Sequence, residues 1–140
     1  MNTPIIIYDM SFVDDYIKTF FERTTKNRHT NDLVFKSIKP MLEGKPVLFT
    51  TDAVFHQAKS RYPDRALPLD TLWQASTIEP LSIEDHLISV LTLASLKSLE
   101  SRPVKFITLD TYLKQALISK PPKPIKFEII DAESALRLIS

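Results

Sequence analysis

Short apolar runs alternate along the chain with segments whose apolar residues recur every three or four positions. The runs are rich in Val, Ile and Phe and nearly continuous in apolar character, which is typical of strands buried on both faces of a sheet. The predicted strands are residues 5–8, 47–50, 105–109 and 126–130.

Between the predicted strands, the apolar spacing is that of amphipathic helices. One segment, residues 85–99, is apolar almost all round, which predicts a helix that is largely buried. The other predicted helices are residues 12–23, 31–42, 52–62, 111–118 and 132–139, with a further short helix around Trp73.

This alternation predicts one α/β domain covering residues 1–140. We expect a three-layer α/β/α sandwich with a four- or five-stranded, mainly parallel sheet. In such folds, ligands bind outside the carboxyl ends of the strands, at the point where the strand order reverses. Residues that directly follow the strands are therefore the first candidates for a functional site.

Composition narrows the chemistry that this site can use. The chain has no cysteine, which excludes disulfides, thiolate metal sites and cysteine nucleophiles. Its single glycine, Gly44, lies in a predicted turn, so a glycine-rich phosphate loop is absent. The net charge is only +1, and neither a secretory signal nor a long apolar run is present. We therefore expect a cytoplasmic protein without a membrane partner.

Acidic residues stand where the chain passes from strand to helix. Asp9, Asp52 and Asp110 follow the first three predicted strands, and Asp85 opens the most apolar helix. Because the carboxyl ends of parallel strands share one edge of the sheet, we expect these carboxylates to converge. Mg²⁺ and Mn²⁺ prefer such hard oxygen ligands, and a bound ion can activate water for the hydrolysis of a phosphodiester.

Each acid also has a purely structural interpretation. Two Ser-x-x-acid segments, beginning at Ser11 and at Ser82, fit the capping box of a helix. An acid that follows a strand equally serves as an N-cap, which stabilises a helix by about 1 kcal/mol. The candidates for this simpler role are Asp52, Asp110 and Asp131. For any one acid alone capping is favoured, whereas their joint placement favours a metal site.

Several segments resemble the motifs of the PIN domain family. Residues 5–12, IIIYDMSF, resemble its opening strand, which is followed by Asp-x-Ser and an amphipathic helix. Residues 81–88, LSIEDHLI, resemble the third acidic motif, and residues 106–113, FITLDTYL, resemble the fourth. The segment 127–133, FEIIDAE, is similar to the family's last strand and short helix, so the resemblance spans nearly the whole chain.

PIN domains are mostly metal-dependent ribonucleases and include the VapC-type toxins of bacterial toxin–antitoxin pairs. The resemblance implies that Asp9, Asp85 and Asp110 are catalytic ligands of Mg²⁺ or Mn²⁺ and that the substrate is RNA. It further implies that Ser11 supports Asp9 or the metal shell and that Thr108 orients the loop around Asp110. An antitoxin protein and a second copy of the chain are the other partners that it suggests.

The chain departs from the family on the helix after the second strand. PIN domains usually carry a glutamate or aspartate there, about one turn in, whereas this chain has His56, with Asp52 one turn earlier as a substitute. The departure supports an alternative, a catalytically inactive PIN-like module that binds RNA or a protein. His86, next to Asp85, is expected to face away from the site.

Two further observations bear on function. Basic residues recur in the segments 18–28 and 114–126, where they could contact phosphates, although a solvated face explains them as well. A receiver-like phosphoacceptor is the third interpretation, but it requires an acidic pair at the end of the first strand, and Asp9 stands there alone.

Overall fold

Five short strands form one parallel sheet in the computed structural model, which describes residues 3–21, 28–81, 83–119 and 127–139. Their order across the sheet is β3-β2-β1-β4-β5, and every neighbouring pair is parallel. The strands are β1 (Ile5–Tyr8), β2 (Leu48–Thr51), β3 (Ser76–Glu79), β4 (Val104–Ile107) and β5 (Phe127–Ile129).

Helices cover both faces of this sheet, which confirms the predicted three-layer α/β/α class. They are α1 (Met10–Phe21), α2 (His29–Leu42), α3 (Asp52–Arg61), α4 (Ala66–Gln74), α5 (His86–Lys97), α6 (Thr111–Ser119) and α7 (Ala132–Ile139).

The continuous apolar character of β1 arises because its side chains enter two separate cores. Ile6 and Tyr8 join the core on the side of helices α1–α4 and α7, whereas Ile5 and Ile7 join the core formed with α5 and α6. The buried Tyr8 hydroxyl is paired with Ser76 Oγ at 2.7 Å. Two buried faces therefore explain why the polar–apolar alternation of a half-exposed strand is missing.

The edge strand β3 was not predicted. Its sequence, STIE, contains one apolar residue, and three of its four side chains are only partly buried. Pairing with β2, in the register Leu48↔Ser76, places this segment in the sheet. Backbone pairing to a neighbour thus outweighs a weak local pattern.

Helix α5 is less buried than its composition predicts. Val90, Leu93 and Ala94 face the sheet, but the exposed fractions of Ile88 and Leu96 are 53% and 47%. The prediction of a largely buried helix is therefore wrong, because the sheet covers only one side of α5. In the described part of the chain, no helix is long and apolar enough to cross a membrane.

Parts of the predicted elements lie outside the described residues. These parts are the end of the helix 12–23, Ser82, the start of the strand 126–130, and much of the basic segments 18–28 and 114–126. The prediction that Ser11 and Ser82 are N-caps is wrong, because α1 begins at Met10, before Ser11, and Asp85 is the N-cap of α5. The sheet order also differs from the 2-1-3-4-5 order of receiver domains, which argues against the phosphoacceptor interpretation.

Candidate functional site

A crevice opens at the carboxyl ends of β1 and β4. The chain runs from β1 outward to β2 and β3, and then returns to the other side of β1 to form β4 and β5. Helix α1 packs into one core and α6 into the other, so the connections that leave β1 and β4 diverge. The resulting cleft, of about 200 Å³, is lined by Asp9, Met10, Ser11, Asp14, Gln57, Arg61, His86, Asp110 and Leu113.

Asp9 is buried at the base of this cleft, with an exposed fraction of only 5%. Its Oδ1 accepts hydrogen bonds from Ser11 Oγ at 2.5 Å and from the Phe12 backbone N–H at 3.3 Å. Its Oδ2 accepts one from Thr108 Oγ1 at 2.6 Å. Hydrogen bonds to a carboxylate are comparatively strong, so these donors hold the group in one orientation.

The pKa of Asp9 is raised above its usual value. Burial is the largest cause, since it disfavours the charged form, and the hydrogen bonds from Ser11, Thr108 and Phe12 oppose it only in part. The negative charge of Asp110 raises the pKa of Asp9 further. Asp110 lines the same cleft as Asp9, although the two residues follow different strands.

This raised pKa predicts a pH-dependent gain in stability for Asp9→Asn. Between the ordinary and the raised pKa of Asp9, the folded state binds more protons than the unfolded state. The contribution of Asp9 to the free energy of unfolding therefore falls as pH rises. The difference in free energy of unfolding, variant minus wild type, should therefore increase from acidic to neutral pH. Urea denaturation at a series of pH values measures it. A difference that is constant with pH would contradict the assignment.

Ser11 and Thr108 link the ends of β1 and β4. Their hydroxyl oxygens lie 3.2 Å apart. Ser11 Oγ also accepts a hydrogen bond from the Leu109 N–H at 2.8 Å, and Thr108 Oγ1 accepts one from the Asp110 N–H at 3.0 Å. The two hydroxyls thus position both Asp9 and the loop that carries Asp110.

Asp110 caps helix α6. Its Oδ1 accepts hydrogen bonds from the Tyr112 and Leu113 N–H groups, at 2.9 and 3.1 Å. Both bonds use the same oxygen, and the residue is exposed at the cleft. The capping role predicted for Asp110 is confirmed, and it is compatible with a second role for Oδ2.

Asp85, Asp52 and His56 are not among the residues that line the cleft. Asp85 is exposed and caps α5, accepting a hydrogen bond from the Ile88 N–H at 3.0 Å. Asp52 is not the N-cap of α3, because Thr51 holds that place. The prediction that Asp52 is an N-cap is therefore wrong.

The side of α3 that faces the cleft carries Gln57 and Arg61 in place of His56. Val54 and Ala58 are buried, and Gln57 and Arg61 follow them at helical spacing. His56 is exposed, with its ring centroid 5.4 Å from that of Phe55. Because an α-helix has a period of 3.6 residues, Gln57 lies close to the side of α3 that carries the buried Val54. This spacing is the signal that would have favoured Gln57 over His56.

Sequence reasoning also missed an ion pair in the cleft. Arg61 Nη1 donates to both carboxylate oxygens of Asp14, at 2.9 and 2.7 Å, and the Tyr62 hydroxyl donates to Asp14 Oδ1 at 2.5 Å. The hydrogen bond to Asp14 is the largest cause of the raised pKa of Arg61. Asp14 lies three residues after Ser11 on α1, which is the spacing of one helix face.

His86, the first residue of α5, lines the cleft beside these groups, contrary to the expectation that it faces away. Within residues 3–21, 28–81, 83–119 and 127–139, no group of three or more His, Asp or Glu side chains could hold a metal ion. Among the described residues, Asp9 and Asp110 are the cleft carboxylates without a basic partner, since Asp14 is paired with Arg61.

Comparison of the chain with protein-family models, with curated proteins and with solved structures gave no match.

Proposed function

We propose that the chain is a PIN-like ribonuclease that hydrolyses RNA phosphodiesters in this cleft with the help of Mg²⁺ or Mn²⁺. The observation that carries the proposal is that Asp9 and Asp110 line one cleft and share Thr108, whose Oγ1 donates to Asp9 Oδ2 at 2.6 Å and accepts from the Asp110 N–H at 3.0 Å. Two negative groups at the strand-order reversal of an α/β sheet favour a cationic ligand.

The residues present suit a hard divalent ion held by two protein ligands. Mg²⁺ is commonly bound by one or two carboxylates, with water and substrate phosphates completing its shell. Asp9 and Asp110 would be those ligands, since the hydrogen bonds to Asp110 occupy only Oδ1. When bound, the ion would supply an activated water and Lewis-acid stabilisation of charge on the phosphate. A ligand role for Asp85 stays a prediction.

The other residues of the cleft would position these groups and the substrate. Ser11 and Thr108 fix the orientation of Asp9. Arg61, whose hydrogen bonds to Asp14 both use Nη1, would direct its remaining N–H donors at a phosphate oxygen. His86 lies exposed at the rim of the cleft, where it would contact the RNA. An antitoxin partner and a homodimer likewise stay predictions.

A specific observation favours a second candidate, an RNA-binding module without catalysis. The neutral Gln57 faces the cleft on the helix where the PIN family usually carries an acid. The cation of Arg61 lies in the same cleft and neutralises Asp14. Both features lower the negative charge available to hold an ion, so such a module would bind RNA but not cut it.

Two measurements on the wild-type protein separate these candidates. The first is a calorimetric titration with Mn²⁺, and the second is cleavage of an end-labelled RNA in Mn²⁺, in Mg²⁺ and in EDTA. We expect saturable binding of Mn²⁺ and cleavage that EDTA abolishes. RNA binding without Mn²⁺ binding or cleavage would support the inactive module. Cleavage that persists in EDTA would contradict the metal-dependent proposal.

A further inference from the structure

A second groove adjoins the cleft on the side of α1 and the turn between α3 and α4. It has a volume of about 380 Å³. We call it the basic groove, and its main lining residues are Lys18, Phe21, Arg61, Tyr62, Pro63 and Arg65. We propose that the basic groove binds a single-stranded segment of nucleic acid that continues from the cleft. The inference deepens the proposed function and rests on it for the identity of the ligand.

Arg61 connects the two sites. It lines both the cleft and the basic groove, and its Nη1 reaches Asp14 on the cleft side. A phosphate bound at Arg61 would therefore have the Asp9 and Asp110 carboxylates on one side and the basic groove on the other.

The charge of the basic groove matches a phosphate backbone. Three of its lining side chains, Lys18, Arg61 and Arg65, are cationic, although Arg61 is also paired with Asp14. Among the described residues of the lining, Asp64 is the only acidic one. Contacts of Lys and Arg with phosphates supply affinity that is independent of sequence and sensitive to salt. The groove would therefore bind nucleic acid of many sequences.

Phe21 gives the groove an aromatic surface. The side chain is 52% exposed. The Arg65 guanidinium carbon lies 4.6 Å from the centroid of the Phe21 ring. Bases stack on aromatic rings and on guanidinium planes, but only when they are unpaired and unstacked from their neighbours. This pair therefore favours a single strand over a duplex.

The chain offers a matched control at the opposite end of the strands. A groove there contains Lys39, Lys45 and Phe35, and Phe35 is 50% exposed. It contains Thr3 and Pro4, which precede β1, so it lies at the amino ends of the strands and away from the cleft. Its charge and its exposed phenylalanine resemble those of the basic groove, whereas its position does not.

Binding of a fluorescein-labelled RNA of about 12 nucleotides, a length within the range of single-strand sites, tests the inference. Fluorescence anisotropy in EDTA measures affinity without cleavage. We expect Phe21→Leu to weaken binding by about fivefold or more. Lys18→Gln combined with Arg65→Gln should weaken it by about tenfold or more and make it less dependent on salt. Phe35→Leu and the pair Lys39→Gln, Lys45→Gln should leave affinity within about twofold.

The outcomes separate this inference from the proposed function. Groove-dependent binding of RNA by a protein that does not cleave would uphold the basic groove and overturn the ribonuclease proposal. Groove variants that cleave RNA and bind it with wild-type affinity would overturn the basic groove and uphold the ribonuclease proposal. The inference is also overturned by equal losses in the control variants, by a duplex that binds as tightly as the single strand, or by no RNA binding. Circular dichroism and thermal melting confirm that each variant is folded.

Discussion

Asp110→Asn should lower the rate of metal-dependent RNA cleavage by more than about 100-fold. Loss of a side chain that only supports a metal ligand typically costs about 10–100-fold in metal affinity or activity, so loss of a ligand itself should cost more. The substitution removes one of the two carboxylates that lie on the cleft without a basic partner, and it keeps a good helix N-cap. We therefore expect the fold to survive and the free energy of unfolding to change by less than about 1 kcal/mol. The measurement is kcat/KM with a labelled RNA in saturating Mn²⁺.

Asp131→Asn is the matched control for this prediction. Asp131 follows β5 as Asp110 follows β4, and it caps α7 through the Ser134 N–H at 2.8 Å. It is absent from the lining of the cleft. Loss of a capping carboxylate is thus common to both variants, whereas loss of a cleft carboxylate is specific to Asp110→Asn. Equal rates for the two variants would show that Asp110 serves only as a cap.

Phe106→Ala should lower the free energy of unfolding by about 3–5 kcal/mol. Phe106 is fully buried in β4, and it belongs to the core between the sheet and helices α5 and α6. Its removal leaves a cavity next to β4, the strand that precedes Thr108 and Asp110, and the β-sheet can close this space only in part. Urea denaturation followed by circular dichroism measures the loss.

The half-exposed Phe35 on α2 is the control for this second prediction. Phe35→Ala removes the same atoms from a site that water already reaches, so we expect a loss of about 0.5 kcal/mol. A small loss for Phe106→Ala would mean that the core on the α5–α6 side is loosely packed.

The main outline of the fold could be predicted because its signals are local. The four predicted runs of Val, Ile and Phe correspond to β1, β2, β4 and the edge strand β5, and the predicted helices match α1 to α3 and α5 to α7 within a few residues. Edge strand β3 had no such signal, since its one apolar residue, Ile78, gives no pattern. Its position depends on hydrogen bonds to β2, which is distant in sequence.

For the candidate site, Asp9 and Asp110 were predicted to lie together at the carboxyl ends of the strands. This prediction depended only on where the strands end, which is a local feature of the sequence. The side chains that helices bring to the cleft could not be found in the same way. Whether His56 or Gln57 faces the cleft depends on how α3 rotates about its axis, and packing of Val54 and Ala58 sets that rotation. Likewise, the orientation of α5 places His86 in the cleft, whereas Asp85 serves as the N-cap of α5.

The sequence by itself therefore determined the α/β class, the buried strands and the acids that follow β1 and β4, because each depends on short-range patterning along the chain. Only the tertiary structure decided the strand order, the edge strand and the pairing of Asp14 with Arg61, two residues that are distant in the sequence. It also joined the cleft to the basic groove through Arg61. These features arise from contacts between distant segments, whose free energy depends on packing rather than on local composition.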